Sequence, residues 1–233
     1  MKRHLVIFAK EPVAGHVKTR LAPQLGLKGS AVLYEAFLKD TFDLARRVDC
    51  HQRFVAYDAG NAPARFIRKE AHGFRFFKQT GKNLGERMHN TFARLDRRSK
   101  GSMVIIGSDS PHLSVGFIQS AFERLLDSDV VIGPSIDGGY YLVGLNRPCR
   151  EIFEDIPWSS NKVLDRTIKT IKKIKKKCEL LPLWYDVDDQ NSLRRLGADL
   201  KNAKPDTALW TREFLIGVAR DSLRSSLNTT VRR

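Results

Sequence analysis

Residues 102–113 read SMVIIGSDSPHL, and the fold follows from how that stretch is built. Its first half is an unbroken apolar run, the pattern of a strand buried on both faces. Asp109 comes next among small residues, and Pro111, which has no amide hydrogen, ends any ladder. Short runs of related character recur at 4–9, 53–58, 74–79, 129–134, 140–145 and 179–188. Helical periodicity fills several of the gaps. Residues 30–48 place Leu33, Phe37, Phe42, Leu44 and Ala45 on one broad stripe, and 85–97 and 115–126 read similarly. Strands alternating with amphipathic helices predict a single α/β domain with a mainly parallel central sheet flanked by helices, expected over residues 1–203. Residues 204–233 are expected to add a C-terminal helical extension carrying Trp210, Phe214, Leu215 and Val218, with roughly the last ten residues frayed.

Composition narrows the classes further. At 233 residues and 42% apolar content the chain can bury a full core. No apolar run approaches the roughly 18 residues of a membrane span. The opening MKRHLVIFAK turns polar at Lys10 with no cleavage site after it, so it reads as a first strand rather than a signal peptide, and a cytoplasmic location is expected. Cys50, Cys149 and Cys178 are too few and too scattered for a disulfide framework or a tetrahedral metal site. The net charge of +15 favours phosphate-bearing ligands. Its densest tract, KTIKKIKKKC at 169–178, carries Ile171 and Ile174, which with Ile168 recur at helical spacing. The lysines are therefore expected on the wet face of an amphipathic helix, and nucleic acid is not an expected partner.

In an open α/β sheet, ligands collect where the carboxyl ends of strands meet their loops, and the unusual residues fall there. The loop after the first strand offers Lys10, Lys18 and Arg20 with Gly15 nearby. Arginine forks onto phosphate oxygens and lysine supplies a mobile charge, so the loop suits a polyphosphate, although it lacks the P-loop spacing. Asp109 is placed to hold a hard divalent cation, whose shell water and substrate phosphates would complete. As a helix cap it would compete poorly with Ser110 or Ser114. YDVDD at 185–189 supplies the candidates for a second carboxylate. Asp189 suits the cap of the helix that follows, while Asp186 and Asp188 share one side of an extended chain and spacing does not choose between them. In DGGYY at 137–141, Asp137 could orient or deprotonate an acceptor, or the glycines could simply make a hairpin turn. In PWSS at 157–160, Trp158 could pack into the core while a serine caps a helix. His16, His89 and His112 have no metal-ligand spacing.

Together, AKEPVAGHVKTRLAP, LGERM, GSDSPHL, GPSIDGGYYLVGL, PWSS and YDVDD resemble, in order and spacing, the glycosyltransferase-A-like family of radical-SAM/selenodomain-associated transferases over about residues 4–200. KTRLAP and the helix after it also resemble the guanylyltransferases of deazaflavin-cofactor synthesis. The resemblance implies a single-domain GT-A-like, nucleotide-diphospho-sugar transferase fold. It implies that Lys18 and Arg20 hold nucleotide phosphates, with Phe8, Ala9, Lys10 and Ser108 beside them, and that Gln79, Leu84 and Gly85 meet the base. Asp109 would be the main metal ligand and Asp188 the second, for Mg²⁺ or Mn²⁺. Asp137, Gly138, Gly139, Tyr140 and Trp158 would line an acceptor pocket, and Lys18, Arg20, Asp109 and Asp137 would form the catalytic set. Three departures from the family pattern stand out. Asn83 stands where an aspartate is usual and bears on charge near the base; Ser160 replaces a threonine and Asn191-Ser192 an acidic pair, both structural in character.

These readings lead to a metal-dependent transferase acting on a nucleoside phosphate. Glycosyl transfer from a nucleotide sugar to a small-molecule acceptor is preferred, and a homodimer is compatible with it. Nucleotidyl transfer from a nucleoside triphosphate, with release of pyrophosphate, is the alternative. A non-catalytic nucleic-acid-binding protein would explain the charge but leave Asp109 and Asp188 idle, since carboxylates repel a phosphate backbone.

Overall fold

The apolar run at 102–106 becomes β4 (Ser102–Ile106), every residue of which is buried. It lies inside a seven-stranded sheet whose other strands are β1 (Arg3–Lys10), β2 (Gln52–Asp58), β3 (Arg75–Lys78), β5 (Val130–Pro134), β6 (Tyr140–Leu145) and β7 (Cys178–Leu180). The order is β3-β2-β1-β4-β6-β5-β7. All pairings are parallel except those that β6 makes with β4 and β5. The exception has a local cause, because only a short turn joins β5 to β6 and a parallel return needs a long crossover. The structure, a computed structural model, describes residues 1–230, with side chains through residue 220.

Alternation along the strands divides the core in two. Leu5, Ile7, Val104 and Ile106 face α1 (Ala22–Arg46) and α4 (Val115–Arg124). Val6, Met103 and Ile105 face the opposite layer, where α3 (Leu84–Arg98) and α5 (Val163–Lys173) pack. On α1 the expected stripe is fully covered, with Leu33, Phe37 and Phe42 at 0% exposure. Each such side chain contributes on the order of 2–3 kcal/mol of transfer free energy. Gly26 breaks the first turns of α1 with φ 70° and ψ 165°, a conformation open to glycine at little cost.

Two expectations need correction. The strand expected over 179–188 stops at Leu180, because Pro182 has no amide to donate. The chain beyond is tied to the sheet only at isolated points: the Trp184 amide donates to Pro134 and its carbonyl accepts from the Ile136 amide, and the Val187 amide donates to the Asp109 carbonyl at 2.9 Å. The basic helix expected through 177 ends at Lys173, where Ile174 caps it and Lys175 turns left-handed at φ 57°. Within α5 the expected faces hold, since Ile171 is fully buried while Lys169, Lys172 and Lys173 are exposed. Among the described residues no helix is long and apolar enough to cross a membrane.

The remaining helices are α2 (Arg65–Glu70), α6 (Gln190–Asn202) and α7 (Leu209–Thr230). Of the roughly ten end residues expected to fray, the backbone through Thr230 belongs to α7, while side chains after 220 and residues 231–233 lie outside the described residues. What holds α7 is legible: Asp40 on α1 accepts from the Trp210 and Thr211 amides and from the Thr211 hydroxyl at 2.6 Å. Trp210 also donates its ring N–H to Asp43. Burial lifts the Asp40 carboxyl to about 6 despite those donors. Asp40→Ala is expected to cost about 2 kcal/mol in denaturant unfolding and to speed hydrogen exchange in 209–220. A carboxyl raised on folding stabilises below its unfolded pKa and loses that contribution as pH rises through the folded one. The cost of Asp40→Ala should therefore shrink between about pH 4 and pH 6.

Candidate functional site

The loop leaving β1 makes a tight left-handed turn at Lys18 (φ 46°, ψ 38°) and enters the 3-10 turn Thr19–Leu21. That turn sends the Lys18 side chain inward until only 3% of it is exposed. Its ammonium lies 5.2 Å from the centre of the Phe37 ring. It meets Asp109 Oδ1 at 2.5 Å, Asp188 Oδ1 at 2.8 Å and the Val187 carbonyl at 2.8 Å. Burial alone would depress the ammonium, but the two carboxylates outweigh burial and hold its pKa well above the usual lysine range. Asp109 sits just past β4 and Asp188 on the extended segment that Val187 pins to Asp109, so separate segments aim two carboxylates at one point. Both remain nearly half exposed, at 45% and 49%.

Around this centre the polar groups interlock. The Tyr34 hydroxyl, from α1, accepts from the Lys10 amide at 3.0 Å and shares a hydrogen bond with Ser108 Oγ at 2.7 Å. Burial, with the charge of Asp109 behind it, pushes that phenol far above its ordinary value. Asp186 accepts from the hydroxyls of Ser110 at 2.6 Å and Ser135 at 3.2 Å. Burial first, and then the neighbouring Asp109 charge, lifts Asp186 to about 6. Asp189 accepts from the Ser192 amide as the N-cap of α6, with Ser192 reciprocating. This is the capping task expected for Asp189, and Ser114 caps α4 by accepting from the Gly116 amide.

The sequence-based candidates fall into groups. Lys18, Asp109 and Asp188 come together, with Ser108 and the Lys10 amide tied in through Tyr34 and Ala9 in the core layer on their side of the sheet, whereas Phe8 packs with the opposite layer. Arg20 is exposed and makes no ion pair among the described residues, leaving its guanidinium available to a ligand. Gln79 spends its amide N–H on the Ala56 carbonyl at 2.8 Å. Leu84 is exposed, whereas Gly85 is buried, and a Cβ there would come within 2.6 Å of the Trp158 ring and of the Phe153 carbonyl. Gly85 and Trp158 therefore pack against each other. Asp137 is exposed and accepts from the Gly139 amide, closing its own turn. Gly138 takes φ 87° with its Cα against the Asn161 backbone, and Tyr140 points into the core edge-on to Trp158. No contact joins Asp137 or Tyr140 to the Lys18 centre among the described residues. Asn83 proves to be the N-cap of α3. Sequence reading missed Tyr34 and the two serines that cradle Asp186, and an apolar helical stripe gives no sign of such a tyrosine.

Lys18 engages Oδ1 of each half-exposed carboxylate, which leaves Oδ2 of each as an oxygen that a hard cation could take. Among the described residues no set of three or more His, Cys, Asp and Glu could hold one, so further oxygens would have to come from a ligand.

Residues 41–160 match the family described as an uncharacterized protein conserved in bacteria (DUF2064). The chain belongs to the DUF2064 family. Comparison with curated proteins gives no match. Among solved structures, this DUF2064 chain is similar to a Desulfovibrio desulfuricans protein described provisionally as a nucleotide-diphospho-sugar transferase, with 29% identity and TM-score 0.85 over 94% of this chain and 98% of that one. The fold is thus the nucleotide-diphospho-sugar transferase fold. It is shared more distantly with a CMP-2-keto-3-deoxy-manno-octonic acid synthetase solved with CTP, at 11% identity and TM-score 0.55 over 87% and 99% of the two chains. A Mycobacterium tuberculosis protein solved with manganese shares it at 16% identity and TM-score 0.53, over 84% and 98%.

Removing the ammonium tests the centre directly. Lys18→Met would leave Asp109 and Asp188 facing each other across a buried gap, at a cost of about 2–3 kcal/mol once their partial exposure is allowed for. Denaturant unfolding measures it, and Asp109→Asn introduced into Lys18→Met should recover part of the loss.

Proposed function

We propose that this protein is a metal-dependent transferase acting on a nucleoside phosphate, with a nucleotide sugar as donor and a small molecule as acceptor. The observation that carries the reading is the meeting of Asp109 and Asp188, both half-exposed, on the Lys18 ammonium at the carboxyl edge of the sheet, beside the exposed Lys10 and Arg20. Mg²⁺ or Mn²⁺ held by the two carboxylates would neutralise charge on the donor diphosphate. Arg20 and Lys10, both exposed, would grip the phosphates, and Lys18 would fix the spacing of the carboxylates. Asp137 has one oxygen closing its turn and the other open to an acceptor hydroxyl. As that hydroxyl attacks the sugar carbon, the nucleoside diphosphate departs and the hydroxyl proton passes to a base, the role assigned to Asp137. Most of the acceleration would come from positioning and charge neutralisation. The likeness to the Desulfovibrio protein over nearly the full chain supports this choice of donor.

A second reading, nucleotidyl transfer, is favoured by the fold shared with a CTP-bound synthetase and by the KTRLAP loop. There a substrate phosphate would attack the α-phosphorus and pyrophosphate would leave. A cytoplasmic site of action suits either set of substrates.

Product analysis separates the two. With Mg²⁺ or Mn²⁺ and a panel of sugar nucleotides and nucleoside triphosphates, release of nucleoside diphosphate is expected, and release of pyrophosphate would establish the second reading instead. Asp109→Asn and Asp188→Asn should each lower turnover by about 100-fold or more with the fold intact. Full activity in Asp188→Asn together with loss in Asp186→Asn would move the second ligand to Asp186. Arg20→Ala should weaken nucleotide binding about tenfold without shifting the melting temperature. Lys172→Gln with Lys173→Gln should leave turnover unchanged.

A further inference from the structure

The layer opposite the Lys18 centre carries a second concentration of positive charge. Between β3 and α3 lies a pocket of about 340 Å³ lined by Lys78, Thr80, His89, Asn90, Arg94 and Arg97 over the Phe77 ring. None of its lining residues is acidic. Elsewhere on this layer Arg87 pairs with Asp58 and Arg147 with Asp96, whereas Arg75 and Arg98 make no ion pair among the described residues but do not line the pocket. Among the described residues Lys78, Arg94 and Arg97 make no ion pair. The Arg94 guanidinium carbon lies 4.7 Å from the centre of the Phe77 ring, and its buried Nε has no acceptor. His89 Nδ1 is buried and unpartnered as well. A buried N–H without an acceptor is costly, so the Arg94 N–H, in a pocket lined by cations and no acid, points to an anionic ligand with several oxygens.

His89 and Asn90 also line a neighbouring cleft of about 720 Å³, which runs past Arg150 and Glu154 to Trp158. We propose that the pocket between β3 and α3 binds the phosphoryl group of a small phosphomonoester, whose organic part lies along that cleft towards Trp158. A planar arginine fork with flanking lysine and arginine is the donor set that recognises a tetrahedral oxyanion. The cleft supplies what a polyhydroxylated body needs: a tryptophan ring beside Asn83, Asn90, Glu86 and Glu154. The site is distinct from the loop of Lys10, Lys18 and Arg20, because Lys18 lies against Phe37 on the α1 side of the sheet.

Calorimetric titration of the full chain with inorganic phosphate, a hexose monophosphate and the unphosphorylated hexose tests the proposal without any assay of transfer. The expected result is saturable binding of both phosphates, tighter for the hexose monophosphate, and none of the hexose. Arg94→Gln with Arg97→Gln should weaken it at least about tenfold, and Arg94→Lys, which keeps the charge but loses the fork, should weaken it measurably. Lys172→Gln with Lys173→Gln removes the same charge from α5 and should change it less than about twofold. Should the Arg94 variants fail to fold by melting, Lys78→Gln with Arg97→Gln, both at exposed positions, takes their place. Equal loss in the α5 control, loss in Arg20→Ala, or no saturable binding would overturn the site. Equal affinity for the two phosphates would make its ligand free phosphate and remove the organic body from the cleft. Tighter binding of a single-stranded oligonucleotide, lost in the same variants, would overturn the small-molecule reading. Failure of the transferase reading leaves all of these measurements standing.

Discussion

A buried ammonium with two half-exposed carboxylates holds the functional edge together. Taking Lys18 out of water is costly unless it is paired, and Asp109, Asp188 and the Val187 carbonyl supply the pairing. Three segments must therefore meet at one atom: the loop after β1, the end of β4, and the extended run before α6. The arrangement is asymmetric in its cost. The cation is almost wholly desolvated, whereas each carboxylate keeps about half its surface in water. Those exposed oxygens stay available to something from solvent. The left-handed backbone at Lys18 is part of the same constraint, since a non-glycine residue persists there only when its surroundings over-determine it.

That centre explains why the polar groups around it divide into different tasks. Asp186 is the third carboxylate at the edge, but two serine hydroxyls hold it and burial raises its proton affinity. Its charge is thereby more readily surrendered than that of a carboxylate in water. Asp189 turns away to cap α6. Of four aspartates at this edge, the two that Lys18 touches are left to act outward. Tyr34 extends the same network to the Lys10 amide and Ser108, which couples α1 to the ends of β1 and β4.

Much of this could be read from the chain because local rules and tertiary demands agree there. Residues 4–9 and 102–106 alternate between two covered faces, and the strands form where the apolar runs lie. The reading ran out where one residue overrode a pattern. Pro182 ended the seventh strand early, and a left-handed Lys175 stopped a helix whose isoleucine spacing continued. Site chemistry was legible as residue types at strand ends but not as partners. Lys18 read as a phosphate ligand, yet its nearest charges are carboxylates, one of them 170 residues away. Spacing carries no information about such a pairing. The contact of Gly85 with Trp158 was hidden for the same reason, since a base-side glycine and an acceptor-side tryptophan turn out to be neighbours.

The global and local fields of the protein pull in opposite directions, and that opposition constrains its ligand. A net charge of +15 draws polyanions towards the whole surface. At the carboxyl edge an incoming phosphate would instead meet Asp109 and Asp188, whose repulsion Lys18 offsets only in part. A bare cation would be held by just two carboxylates on a surface that repels it. A cation already chelated by phosphates satisfies both fields, because its excess negative charge answers the surface while its metal answers the carboxylates. The pocket between β3 and α3 has no such conflict, with cations and no acid in its lining. On that physical difference, under the functions proposed above, the first site would favour a metal–phosphate complex and the second an uncomplexed phosphoryl group.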